Sequence, residues 1–573
     1  MARFLFGLIT GVVLCVLGVF ILIFALARSF RESTPTIADN SVLELQLNGD
    51  IPERPPVDIP FGVLSDRPNP TVTNIWMLLR QAAADSRIKA VALEPHSLSV
   101  GWAKLEEFRA DIERFKKSGK PVYAYLKSPG AREYYVATAA DRIYLSPTDW
   151  LNLKGMRVEL MYFKNTLDKI GVGVQVEHDG KYKDFGDMFT RTSMSPETRE
   201  VMNSVLDDIY GDLVSRVAQG RKKNPDEVRA LIDQGPFLGA DALRDGLVDK
   251  LEYEDQMFGE LRRKLNSGEL AKLSTAKYMK IPPGSLGLEG RHRIAMLVGD
   301  GEITRGNPDS ENETGITEVG FNKLLRRLEG DSGIEGVVVR IDSPGGDAVA
   351  SDAIWREMNL LSKKKPVVIS MSDTAASGGY YMAMTGDPIV AYPGTLTGSI
   401  GVVFGKPDLH GLYDKLGINK DMILRGRYAA IDSDYKPLSP DELAKMKQGI
   451  DANYHDFVAK VAQARHKPYD RIEPLAQGRV WLGSQADKNG LVDQLGGIDR
   501  AIELIKQKAR IPASENVTIV TYPPRRSILD LLFGRSTEAV IDSRLRTMLR
   551  GFSPELWSQA GMLRLMPYRV VVQ

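Results

Sequence analysis

Cysteine is almost absent from this 573-residue chain: the single copy, Cys15, lies in the first apolar stretch. That excludes a disulfide within the chain, and it excludes a zinc–thiolate site or a cysteine nucleophile in the rest of the sequence. Histidine is nearly as scarce. His96, His178, His292, His410, His455 and His466 form no HExxH or other close ligand pair, so no metal is expected, and nothing local singles one of them out for a Ser-His-Asp triad. A charge of one sign is also missing. The 75 Lys and Arg against 74 Asp and Glu leave a formal +1, with no basic field to suit nucleic acid. The glycine pair Gly345-Gly346 fits neither GxxxxGK[ST] nor GxGxxG, so no phosphate-binding fingerprint and no nucleotide cofactor are read from it.

The longest uncharged run is Phe4 to Ala27. It is long enough to cross the hydrocarbon core as a helix. Arg3 flanks it on one side, Arg28 and Arg31 on the other. Ala25-Leu26-Ala27 resembles a signal-peptidase site, but the run exceeds an ordinary signal core. We therefore expect an anchor within residues 1–27 that contacts the bilayer through residues 4–27, then a polar tether over 28–41. A chain of this length should hold two to four domains.

The body repeats itself. Asp85-Ser86-Arg87-Ile88-Lys89 matches Asp331-Ser332-Gly333-Ile334-Glu335 at an offset of 246 (331 − 85). Tyr134-Tyr135 matches Tyr380-Tyr381, and Gly180-Lys181-Tyr182 matches Gly426-Arg427-Tyr428, at the same offset. Val217-Ala218-Gln219 and Gly246-Leu247-Val248-Asp249 recur as Val461-Ala462-Gln463 and Gly490-Leu491-Val492-Asp493, at an offset of 244 (490 − 246). The copies are placed at 42–285 and 286–515, with a tail over 516–573 that belongs to neither and contains a short amphipathic segment, Arg526–Gly534. In the second copy, Ile294–Val298, Gly336–Ile341, Val367–Ser370 and Ile389–Tyr392 read as strands, and 319–329, 352–363 and 440–465 as helices. Strands alternating with helices predict an α/β fold with a largely parallel sheet.

The copies differ where chemistry would sit. In the second copy a buried strand from Val367 runs through Ala375-Ala376-Ser377-Gly378-Gly379 into a helix. Such a turn can expose a serine hydroxyl at a helix N-terminus, where free N–H groups stabilise negative charge. Ser377 is a candidate nucleophile. At the common offset, Ser377 falls opposite Ala131, and Ser343-Pro344-Gly345-Gly346 opposite Ser97-Leu98-Ser99-Val100. Conversely, Lys183 falls opposite Ala429. One copy has the serine and glycine loop, the other the lysine, which suggests one composite site. A lysine serves as base only when neutral, and burial between the copies would favour that state. Ser399, in Thr397-Gly398-Ser399-Ile400-Gly401, is a candidate to hold the amine. Oxyanion donors would be Gly378 N–H and the Gly345-Gly346 loop, where glycine lets backbone approach substrate. Asp342 and Asp347, flanking the loop, read as turn caps.

With these motifs assembled, the chain resembles the signal peptide peptidase A (protease IV) family in its long form with duplicated domains. The carrying segments are Asp342-Ser343-Pro344-Gly345-Gly346, Ala375-Ala376-Ser377-Gly378-Gly379-Tyr380, Leu396-Thr397-Gly398-Ser399-Ile400-Gly401 and Gly180-Lys181-Tyr182-Lys183. The resemblance implies two tandem crotonase/Clp-protease-like α/β domains after an N-terminal transmembrane helix. It implies a serine endopeptidase with a dyad falling on Ser377 and Lys183, acting on cleaved signal peptides and other short or unfolded peptides. It further implies a homotetramer, without cofactor, anchored by one span in the inner (plasma) membrane with its body on the extracytoplasmic, periplasmic side. Small residues usually follow the family's lysine, whereas Asp184-Phe185-Gly186 follow here, and Lys181 is the alternative base. An acyl-CoA-processing crotonase-like enzyme and a catalytically silent membrane scaffold are the competing readings.

Overall fold

The computed structural model describes residues 18, 35–54, 70–306, 315–524 and 562–566. Apart from residue 18, the apolar run 4–27 lies outside them, as do tether residues 28–34 and Arg526–Gly534. Among the described residues no helix is long and apolar enough to cross a membrane.

The first copy contributes β1 (Ser41–Asn48), β2 (Ile88–His96), β3 (Val122–Leu126), β4 (Arg142–Leu145), β5 (Gly173–Asp179), β6 (Lys250–Leu251) and β7 (Ala271–Ser274). All but β5 form one parallel sheet in the order β6-β4-β3-β2-β1-β7. Its central strands are apolar and almost wholly buried, such as Val122–Leu126, as strands covered on both faces must be. Helices α1 (Trp102–Lys116) and α2 (Pro196–Arg221) belong to this copy.

In the second copy the strands are β8 (His292–Asp300), β9 (Ile303–Thr304), β10 (Gly336–Ser343), β11 (Gly345–Asp347), β12 (Val367–Ala376), β13 (Ile389–Ala391), β14 (Leu396–Gly398), β15 (Val402–Asp408), β16 (Val480–Leu482) and β17 (Val517–Tyr522). Residues 494–495, then β13, β12, β10, β8 and β17, repeat the parallel order of the first sheet. At its C-terminal end β12 also pairs with β14, which pairs with β16. The expected helices are Glu318–Gly330, α3 (Ala348–Lys364) and, after the short α4 (Gly378–Met382), α5 (Pro440–Ala464). Helix α3 starts earlier than its apolar periodicity suggests because Asp347 caps it, accepting from Val349 and Ala350 N–H at 2.9 and 2.8 Å, which satisfies otherwise orphaned donors.

One boundary needs correction. The repeat places the tail from 516 onward, yet Val517–Tyr522 adds β17 beside β8 as β7 does beside β1. The run VTIVTY has the β-branched composition of a strand, so the second copy's sheet extends to Tyr522.

The repeated motifs turn out to be two ends of shared contacts. Tyr134 donates its hydroxyl proton to the Leu247 carbonyl at 2.6 Å, and Tyr380 to that of Leu491 at 2.7 Å. Asp249 is bound by Arg221, and Asp493 by Arg465. Tyrosine pair and Gly-Leu-Val-Asp therefore recur together because buried hydroxyls need partners.

A third sheet joins the copies. Its order is residues 316–317, β9, β11, β18 (Leu563–Leu565), β15 and β5. Strand β5 of the first copy lies antiparallel on β15 of the second, from Asp179 opposite Val402 to Gly173 opposite Asp408.

Candidate active site

Strand β12 ends at Ala376, and α4 begins at Gly378. Ser377 is the hinge between them, with φ 55° and ψ −115°. A non-glycine residue held there costs on the order of 1–3 kcal/mol, and such strain persists where surrounding contacts enforce it. Here Ser377 N–H donates to Gly398 O and Ser377 O accepts from Tyr381 N–H, both at 2.8 Å. The side chain is completely buried.

Lys183 reaches this serine from the other copy. Strand β5, zipped onto β15, ends at Asp179, and the chain turns through Gly180 to Lys183. Lys183 Nζ lies 2.8 Å from Ser377 Oγ and 2.9 Å from both the carbonyl and the hydroxyl oxygen of Ser399. Lys183 and Ser399 are fully buried as well. The structure thus brings together Ser377, Lys183 and Ser399. Lys181 stays exposed, its ammonium 4.8 Å over the Tyr182 ring. Asp184 takes a hydrogen bond from the Thr198 hydroxyl at the start of α2, and burial pushes its carboxyl up to about 6.

The glycine loop packs against the helix that begins just after the serine. An added Cβ on Gly379 would fall 2.7 Å from Ser343 O, and one on Gly346 would fall 2.0 Å from Ile303 O. Gly345, with φ 102°, has a backbone few other residues adopt. Gly378 begins α4 directly after Ser377, and β11, which holds Gly345 and Gly346, packs against α4. Of the two flanking carboxylates, Asp347 is the expected cap. Asp342 is not: its Oδ1 accepts from Thr374 N–H at 3.0 Å and its Oδ2 lies 2.8 Å from Lys104 Nζ. The reason is a long-range partner that local turn chemistry does not reveal.

Sequence reasoning also missed the turn that makes room for the lysine. Tyr182 N–H donates to Gln477 O at 2.7 Å, seating residues 180–183 on Gln477-Gly478. A Cβ on Gly478 would lie 2.6 Å from both Cβ and N of Lys183, at a φ of +74°. Gly478→Ala should therefore displace the amine from Ser377. An ångström-scale shift in a reacting group costs about 10²-fold in turnover, and that is the loss expected in kcat for peptide hydrolysis. Turnover equal to that of the unaltered chain would show that the lysine needs no such space.

The profile of peptidase family S49 matches residues 114–267 and 359–512, once on each copy, and together these exceed half of the chain. The chain belongs to peptidase family S49. It is accordingly a serine peptidase, which sets aside the acyl-CoA and silent-scaffold readings. It is 39% identical to the chloroplastic serine protease SPPA of Arabidopsis thaliana, over 82% of this chain and 70% of that protein. Protease 4 of Haemophilus influenzae is 31% identical, over 76% of this chain and 72% of that one. These relatives match most of the long, duplicated S49 chain, not one copy alone. Among solved structures, the 1510-N membrane-bound stomatin-specific protease S97A mutant shares 15% identity over 41% of this chain and 99% of its own, with a TM-score of 0.27.

Proposed function

We propose that this S49 peptidase is a membrane-anchored endopeptidase working through a Ser377/Lys183 dyad. The observation that carries the reading is the 2.8 Å contact between Lys183 Nζ and Ser377 Oγ in a fully buried site. A neutral amine has two N–H bonds and one lone pair. Ser399 offers two acceptors, carbonyl and hydroxyl, each 2.9 Å from Nζ. With both N–H bonds directed there, the lone pair faces the Ser377 hydroxyl and takes its proton as Oγ attacks the scissile carbonyl. The new oxyanion is received by backbone N–H of Gly378 and of the Gly345-Gly346 loop. Lys183 then returns the proton to the leaving amine, and water releases the acyl group by the same steps in reverse order.

Substrates in this reading are cleaved signal peptides and other short or unfolded peptides, bound without a cofactor. The two copies are crotonase/Clp-protease-like domains, the chain assembles as a homotetramer, and residues 4–27 hold it in the plasma membrane with the body extracytoplasmic. The test is hydrolysis of a fluorogenic apolar peptide by the full chain in detergent, beside its dyad variants. Protease protection in sealed vesicles of known orientation tests the sidedness, and digestion of the body from the cytoplasmic face would reverse it.

Strand β18 bears on substrate access. Residues 563–565 fill the gap between β11 and β15, antiparallel to both, with Gly346 opposite Arg564. Met566 N–H donates to Pro344 O at 2.7 Å, and Ala348 N–H to Met562 O at 3.1 Å. An extended peptide entering beside the glycine loop would use this same edge. A segment of the same chain competes as an intramolecular ligand, so deleting residues 525–573 is expected to raise kcat/KM on short peptides about tenfold or more. An unchanged or lower kcat/KM in a folded truncation would show that β18 does not compete with substrate.

A further inference from the structure

Strands β10 and β12 carry the glycine loop and the nucleophile, and they lose register shortly before either is reached. Ile341 is opposite Met371, but Ser343 is opposite Ala375. Residues Ser372, Asp373 and Thr374 on one strand therefore face the single Asp342 on the other. A bulge of this kind interrupts the ladder and re-aims the residues beyond it, and its loose backbone and side chains need other partners. Most of those partners come from the first copy.

Helix α1 of the first copy abuts this bulge with its N-terminal turn. Asp373 caps it from across the junction, accepting from Gly101 N–H at 2.6 Å and from Lys104 N–H at 2.9 Å. The approach is so close that an added Cβ on Gly101 would fall 2.4 Å from Asp373 Cγ. The Lys104 side chain then crosses the bulge. Its Nζ is 2.8 Å from Asp342 Oδ2, 3.8 Å from Asp373 Oδ2 and 4.0 Å from Glu53 Oε1. It also donates to Ile51 O at 3.2 Å. On its other oxygen, Asp342 holds Thr374 N–H. Lys104 is 5% exposed. Burial alone would pull its pKa down, but Asp342, Asp373 and Glu53 outweigh that and hold the ammonium's pKa well above the ordinary value.

We propose that Lys104 is a positioning residue for the peptidase centre: its ammonium, supplied by the first copy, pins Asp342 and Asp373 across the β10–β12 bulge and so fixes the glycine loop and Ser377 relative to each other. Asp342 directly precedes Ser343-Pro344-Gly345-Gly346, and Asp373 stands four residues before Ser377. Removing the ammonium leaves Asp342 and Asp373 facing each other, with Asp300, which registers opposite Asp342 on β8, close by. Carboxylates that shared one ammonium repel once it is gone, and the two loops separate. The first copy then serves the reaction twice, with Lys183 at the reacting atoms and Lys104 behind them.

This inference rests on the dyad reading for its kinetic arm only, so the test has two arms. Full-length protein is compared with Lys104→Met and Lys104→Arg. In the kinetic arm, Lys104→Met should lower kcat about 100-fold with KM within about threefold, since the groove remains while the reacting groups drift. Lys104→Arg, which keeps the charge, should recover at least tenfold of that loss. In the second arm, hydrogen exchange read by mass spectrometry should speed up in peptides covering 342–348 and 373–380 of Lys104→Met, with the remaining strands protected as before. A kcat within threefold of the unaltered chain overturns the proposal. So does exchange that rises uniformly over both copies, which would make Lys104 a general stabiliser. If Ser377→Ala retains turnover, the dyad reading falls, and the exchange pattern still decides the role of Lys104.

Discussion

Ser377→Ala is expected to lower peptide hydrolysis by roughly 10⁴-fold or more, Lys183→Met to cost nearly as much, and the double variant to be no worse than the weaker single one. The non-additivity is the informative part. If the serine acts only as the lysine deprotonates it, removing either disables one unit, and removing both removes the same unit. The geometry leaves few other readings of a joint loss, because Lys183 Nζ touches Ser377 Oγ and both oxygens of Ser399 in one fully buried cluster. Methionine approximates the length of the lysine stem and keeps the space beside Gly401 and Gly478 filled, so the fold should survive, as a melting temperature within a few degrees would show. Phosphonylation of Ser377 by a serine-directed fluorophosphonate, which forms a P–O bond and releases fluoride, should be lost in both single variants. Should Lys183→Met keep its full rate while Ser377→Ala does not, the serine has another base.

A second large effect is expected on stability. Arg340 is fully buried, and its guanidinium binds Glu53 and Glu107 of the first copy at 2.9 and 2.6 Å, with Ser370 and Ser372 at 3.1 and 3.0 Å. Arg340→Met removes the cation and leaves two buried carboxylates. Breaking one side of such a cluster costs about 3–5 kcal/mol, and thermal melts should record it as a clear fall in Tm. The pH dependence comes from Glu53. Burial raises its pKa, but Arg340 and Lys104 together outweigh that and keep it below the ordinary value. A lowered carboxylate pKa contributes stability above the unfolded value and loses it as pH falls through the folded one. Without Arg340 that contribution is gone, so the gap between variant and unaltered chain should be widest near neutrality and narrow under acid conditions. A gap that stays constant with pH would mean that packing, not charge, sets the loss.

These two clusters mark how far the linear chain could be read. The repeat was legible because its motifs hold contacts within one copy that both copies need: a tyrosine hydroxyl seeks the carbonyl of the Gly-Leu-Val-Asp leucine, and that motif's aspartate binds an arginine. The strands from Ile294, Gly336, Val367 and Ile389 were legible as short runs rich in apolar, β-branched residues, interrupted in the second only by Arg340. Ser377 and Gly345-Gly346 stood out because a strained turn and a close backbone approach admit few residue types. Lys183 came from the comparison of the copies, as a lysine in the first copy that falls opposite Ala429 in the second. The turn-cap reading of Asp342 failed for a complementary reason: its partner, Lys104, sits in the other copy and leaves no mark nearby.

By itself, then, the sequence determined what depends on neighbours along the chain: two α/β copies, a serine at a strand-to-helix turn, a glycine loop and a lysine apart from both. Tertiary structure decided what depends on pairing at long range. Zipping β5 onto β15 carries Lys183 to a serine 194 residues away. The Gln477-Gly478 turn opens the space the amine occupies, Lys104 reaches Asp342 and Asp373 across the β10–β12 bulge, and residues 562–566 return to the edge of the glycine loop. None of these can be read from periodicity or composition, because each is selected by the shape and charge of a surface that exists only in the folded chain.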